Sequence, residues 1–156
     1  MIFQIAEAML TFDALTNDKL QKLCYSAYAW YLTFFGEKLF EERFEAWEKG
    51  PVCPELYDKY KRYGLRKIPK SEREIAQIIP DGDLQEFLTA VYDAHGHLKQ
   101  HELLSLACSE EPWLLAWKRL EEGESSIYFD EEIVNWNTKK VLRELNQDNT
   151  CLVYSI

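Results

Sequence analysis

TNDKLQKLCYSAYAWYLTFFG, residues 16–36, decides the fold. Thr16 or Asn17 can cap a helix, and Asp18 then falls in its first turn, where a carboxylate meets unpaired backbone N–H groups. Leu20, Leu23, Cys24, Ala27, Tyr31, Phe34 and Phe35 recur at helical spacing, and Gly36 can end the helix in the left-handed conformation. Tyr28 and Trp30 lie off that stripe, so the helix is apolar around much of its circumference. A helix of this kind belongs at the centre of a bundle, packed on more than one side.

Outward from this core helix, the apolar residues of Ile2 to Phe12 predict a shorter helix before it. Behind it, Glu37 to Lys49 reads two ways, because Phe40, Phe44 and Trp47 suit a helical face while Phe44 to Trp47 also suits a short extended segment. Pro54 at a first helical position and Gly64 just past Tyr63 predict a helix over Glu55 to Tyr63. Ser71 can cap Glu72 to Ile79, with Glu74 at the capping-box position and Pro80 as the stop. Asp81 or Asp83 starts a helix through His95, Lys99 to Cys108 and Pro112 to Glu122 predict two more, and Asp130 caps the last. On that last helix Ile133, Trp136, Asn137, Val141 and Leu145 share a face. Strand signals are confined to Ile127–Phe129 and Leu152–Tyr154. The expected fold is mainly α: a compact multi-helix bundle, one domain over residues 1–156, with at most a minor short-strand element.

Composition narrows the function. Hydrophobic residues at 47% and aromatics at 14% supply a core and argue against disorder. A formal net charge of −9 repels phosphate backbones, so nucleic acid is disfavoured as a partner and a basic protein is favoured. The charge is segregated: Lys59, Lys61, Arg62, Arg66, Lys67, Lys70 and Arg73 face a single acid, Glu72, whereas acids dominate Glu110 to Glu132. Cys24, Cys53, Cys108 and Cys151 are widely spaced without a CxxC pair, the pattern of free thiols in a reducing compartment. The opening residues lack a basic leader, and no apolar run approaches the ~20 residues of a membrane span. A soluble, cytoplasmic protein without a cofactor is expected.

Catalytic signals are weak. His95, His97 and His101 lie together in HGHLKQH, and His97 with His101 would share a helix face if the helix began early enough, a conceivable metal pair. Gly96 interrupts them and no carboxylate completes a known ligand pattern. Cys108 with His101 could be drawn as a nucleophile and base, but lacks a recognisable catalytic context. Glu110 and Glu111 ahead of Trp113 and Trp117 read as acids at a positive helix start, followed by tryptophans that pack. A metal-dependent or cysteine enzyme is thus the weaker alternative, with no catalytic residue and no metal ligand assigned.

Three blocks carry a resemblance: TNDKLQKLCYSAYAWYL from Thr16, LFEERFEAWEKGPVCPELYDKYKRYG from Leu39, and LLSLACSEEPW from Leu103. Together they resemble the Panacea antitoxin domain family, which includes SocA-like and phage-associated GepA-like proteins. The matching positions include Asn17, Lys19, Gln21, Lys22, Trp30, Gly50, Pro51, Val52, Pro54, Glu55 and Pro112. Cys108 and Ala107 depart from the family pattern, which has histidine and threonine there. The resemblance implies a mostly helical antitoxin of a toxin–antitoxin system that binds and neutralises a co-encoded protein toxin, or alternatively an adaptor that delivers the toxin to a cellular protease. The candidate partner-binding residues are Trp47, Tyr57, Lys59, Lys61, Arg62, Glu110 and Trp113. Of these, the basic outer face of Lys59, Lys61 and Arg62 is favoured for contact, whereas Trp47 and Pro51 also suit construction of the turn.

Overall fold

The computed structural model describes residues 1–147. In chain order these form α1 (Ile2–Met9), α2 (Asn17–Phe35), β1 (Glu45–Trp47), β2 (Gly50–Val52), α3 (Pro54–Tyr60), α4 (Ile75–Ile78), α5 (Gly82–His95), α6 (Gln100–Ser109), α7 (Glu111–Glu121) and α8 (Asp130–Gln147). The fold is mainly α, and its one sheet among the described residues is the antiparallel β1–β2 pair. The expected strand at Leu152–Tyr154 lies outside the described residues, as does Cys151.

Helix α2 is the central element, packed against α1, α3, α5, α6, α8 and β2. Thr16 is its N-cap, accepting from the Lys19 N–H at 3.2 Å. Gly36 ends it at φ 70°, the left-handed region where a side chain would be strained. Leu20, Leu23, Cys24, Ala27, Tyr28 and Trp30 are buried, each large apolar side chain contributing about 1.5–3 kcal/mol of burial. The stripe gives out at its end, where Phe35 is 57% exposed although its ring still meets Phe87 of α5.

Elsewhere the structure revises local detail. Residues 37–44 are not helical, and Glu45–Trp47 is a strand. The helix expected over Glu55–Tyr63 is α3 followed by a 3-10 turn, Lys61–Tyr63, that tightens toward Gly64. Ser71 does not cap the next helix: its hydroxyl donates to Glu7 and accepts from the Arg73 N–H, so Glu74 caps α4 in a reciprocal box with Gln77. Ile127 makes an isolated bridge to Glu45, short of a strand. Asp130 opens α8, and its carboxylate accepts from Tyr28 Oη at 2.9 Å and Arg43 Nη1 at 3.0 Å.

The basic segment after α3 is tied down along its length. Leu15 and Ile68 exchange two backbone hydrogen bonds, at 3.2 and 2.7 Å, and the Ser71 N–H donates to Leu10 O at 2.9 Å. Arg73 closes it with a forked contact to the Glu7 carboxylate. The acidic run is partly neutralised, by Arg119 from within it, which pairs with Glu132, and by Arg43 from outside it, which pairs with Asp130.

Candidate functional site: a hairpin clasped by three sequence blocks

The three blocks meet at the β1–β2 hairpin. From α2, Gln21 is wholly buried, and its amide oxygen accepts from the Cys53 N–H at 2.9 Å just past β2. Asn17 donates to Tyr57 O at 3.3 Å, so one face of α2 fixes both ends of the β2–α3 junction. From α7, Trp113 donates through Nε1 to Trp47 O at 2.9 Å, holding the hairpin tip from the other side. Pro112 is buried at the α7 start, and Trp113 stacks on Trp117 with ring centroids 5.1 Å apart.

Gly50 opens β2 at φ 105°, a backbone conformation that favours glycine. A side chain there would be strained, and its Cβ would stand 2.9 Å from Lys22 Cε and 3.5 Å from Ala107 Cβ. The glycine lets the hairpin close over Lys22, whose side chain runs beneath it. Pro51 and Val52 are buried beside it, and Pro54 enters α3 at its first turn, where a missing N–H costs nothing. Glu55, exposed in that turn, accepts from the Cys53 thiol at 3.1 Å, and burial raises that thiol to about 12, keeping it protonated.

On the outside of the clasp lies a groove of about 350 Å³ lined by Asn17, Asp18, Trp47, Tyr57, Lys61 and Leu65. Trp47 and Tyr57 pack with centroids 5.3 Å apart. Leu65, on the groove wall, is 82% exposed, which leaves a large apolar side chain presented to solvent. Lys59 and Arg62 lie on the other side of α3, lining a second cleft of about 560 Å³ with Phe3, Tyr63 and Ile68. The seven partner-binding candidates therefore do not form one patch. Trp47, Tyr57 and Lys61 share the groove, Lys59 and Arg62 the cleft, and Trp113 faces the hairpin backbone. Glu110 stands apart, accepting from Trp136 Nε1 at 2.6 Å, its carboxyl raised by burial against the opposing pull of that bond. Trp30 is buried in α2, and Lys19, at the first turn of α2, is half-buried. Leu65 and the inward role of Lys22 escape sequence reading, since an exposed leucine and a helical lysine carry no local signal.

The histidines do not converge. His95 closes α5 and is buried, whereas His97 is exposed in the connection and His101 lies in α6, which begins at Gln100, too late for the two to share a helical face. His101 and Cys108 are two turns apart on α6, about 10 Å of rise, where a nucleophile and its base need hydrogen-bond contact. Among the described residues, no group of three or more His, Cys, Asp or Glu side chains could hold a metal ion. Cys24, Cys53 and Cys108 are free thiols. No helix of the described residues is long and apolar enough to cross a membrane.

This architecture, a helical bundle with a small hairpin clasped by α2 and α7, is that of a mainly α domain whose signature residues build a shaped surface. The family model for the antitoxin SocA-like, Panacea domain matches residues 20–114, more than half of the chain. The chain belongs to that family. Gln21, Lys22, the hairpin, Pro54, Glu55, Pro112 and Trp113 fall inside the matched span, while Asn17 and Lys19 precede it. No curated protein and no solved structure matches the chain.

Proposed function

We propose that the protein is a cytoplasmic antitoxin that neutralises a co-encoded protein toxin by direct binding, through the groove of Trp47, Tyr57, Lys61 and Leu65. Family membership carries this reading. The groove supports it with large aromatic and aliphatic side chains rimmed by charge, the composition of protein-recognition surfaces. Lys59 and Arg62 extend the contact across α3, while Trp113 holds the hairpin tip from α7. The net charge of −9 favours a toxin that is basic overall. Binding, not catalysis, is the activity.

Co-expression with the adjacent gene is the test. Growth arrest by that gene product, relieved by this chain, with the intact toxin co-purifying in a stoichiometric complex, is the expected result. Failure to rescue overturns the reading. Rescue that disappears in a protease-deficient host, with the toxin otherwise degraded, replaces neutralisation by delivery to a protease.

A further inference from the structure

The Lys22 ammonium is buried without an answering group. The residue is 4% exposed, and Nζ makes no hydrogen bond to any described residue. An ammonium carries three donors, and taking it out of water unpaired is strongly unfavourable. Asp18, one turn earlier, attracts it, but that carboxylate is held by Lys49 at 3.6 Å and by the Gln100 amide at 3.1 Å. The neighbouring Cys108 thiol is raised by burial and stays protonated, so it supplies no charge. The cluster of Lys22, Lys49 and Asp18 therefore holds one positive charge in excess.

Beside it lies a cavity of about 70 Å³ lined by Asp18, Lys22, Lys49, Gln100 and Leu104. That volume suits a group the size of a carboxylate. Asp18 and Lys49 also line the Trp47–Tyr57 groove, so the cavity continues from the groove's edge. An apolar slot leading to one buried ammonium and a net positive charge is the arrangement that receives a carboxylate preceded by an apolar residue.

We infer that the Lys22 cavity takes a carboxylate supplied by the bound toxin, from an acidic side chain or the chain terminus. This rests on the antitoxin reading for the source of the group, though not for the chemistry of the pocket. An overall basic partner can supply it, because every chain ends in a carboxylate.

The pocket is tested first on the isolated protein, by following the lysine Cε and Nζ resonances and the Gly50 amide in NMR during titration with sodium acetate against sodium chloride at equal ionic strength. The expected result is a saturable shift confined to Lys22, Lys49 and Gly50, half-complete in the millimolar range. It is lost at Gly50 in Lys22→Met. Absence of a saturable shift overturns the inference even if growth rescue succeeds, whereas saturation without rescue overturns only the antitoxin reading. Toxin capture then tests the source. Lys22→Met is expected to bind toxin at least ten-fold more weakly, and 50 mM acetate, relative to chloride, to weaken the wild-type complex. The acetate arm stands even if the variant fails to fold. Saturation by acetate with toxin affinity unchanged in both arms overturns the toxin as the source and leaves a site for a free carboxylate.

Discussion

Replacing Gln21 by leucine isolates one hydrogen bond that holds the hairpin to the core helix. Leucine is of similar size, so little cavity forms at this wholly buried position, and the loss falls on polar groups. The weak donations of Gln21 Nε2, at 3.4 Å to Asn17 and 3.5 Å to Cys53 O, matter little, because Cys53 O still accepts from the Tyr57 N–H at 2.9 Å. The Cys53 N–H is different: Gln21 Oε1 is its acceptor, and without it a buried donor is stranded at a cost of about 1–3 kcal/mol. We expect a destabilisation of about 2 kcal/mol, read as a Tm lower by about 4–8 °C for a chain of this size. Hydrogen exchange at the Cys53 amide is expected to quicken about 30-fold, the same free energy expressed as a rate. Gln21→Glu keeps the acceptor but buries a carboxylate. It is expected to be less stable than Gln21→Leu at pH 7 and to recover as the solution is acidified and the group is neutralised. A Gln21→Leu protein within about 0.5 kcal/mol of wild type, with the Cys53 amide still protected, would refute the reasoning.

Gly50→Ala meets both a positive φ and the Lys22 side chain, and is expected to cost about 1–3 kcal/mol in chemical denaturation; an unchanged midpoint would show that the hairpin does not close on Lys22. Leu65→Asp alters a side chain that supports no core, so thermal stability is expected to hold within about 0.5 kcal/mol while toxin affinity falls at least ten-fold. Equal affinity would remove the groove from the interface. Burial pulls the Lys22 ammonium down to about 8 from 10.5, against the attraction of Asp18. The unfolded chain therefore binds the extra proton between those values, and stability gains a contribution of about 3 kcal/mol as pH rises through that window. Lys22→Met is expected to lose this slope and to exceed wild-type stability at pH 7, as measured by urea midpoints across pH. For Glu7, the hydrogen bond from Arg73 holds the carboxyl below its usual value despite opposing burial. Its stabilisation is present above about pH 4.5 and fades as pH falls through the depressed value, a slope that Arg73→Gln is expected to flatten.

The helices were legible because their signals are local and redundant. Thr16, Gly36, Pro54, Asp81 and Pro112 each mark a boundary by their own conformational limits, and the stripe of α2 states its central place. The hairpin was only half legible: an extended Phe44–Trp47 is one of two readings, and β2 carries no signal, since strands of three residues are too short to show alternation and are held by partners far away in the chain. Ser71 misled because capping competes with tertiary contacts, and here Glu7 and Arg73 engage its hydroxyl. Gln21 and Lys22 stand out in the sequence only as family-matching positions, and nothing in the helix spacing marks them as buried. Their burial follows only from the hairpin lying over them, which spacing within α2 does not encode. The family blocks include Gln21, Gly50 and Trp113, which lie far apart in the chain and which the structure brings together as three parts of one clasp.

The segment between α3 and α4 gives its charges fixed addresses. Because Ile68, Ser71 and Arg73 are fastened to α1 and the turn that follows it, most of the backbone freedom of this stretch is lost during folding and little of that loss is left for a binding event. Lys61, Arg62, Arg66, Lys67 and Lys70 thus meet any partner as a set of positions rather than as a cloud of charge. Moving one of these lysines to a neighbouring site, with the total kept constant, alters the pattern an approaching molecule meets. Discrimination between closely related partners can then reside in where the charges stand.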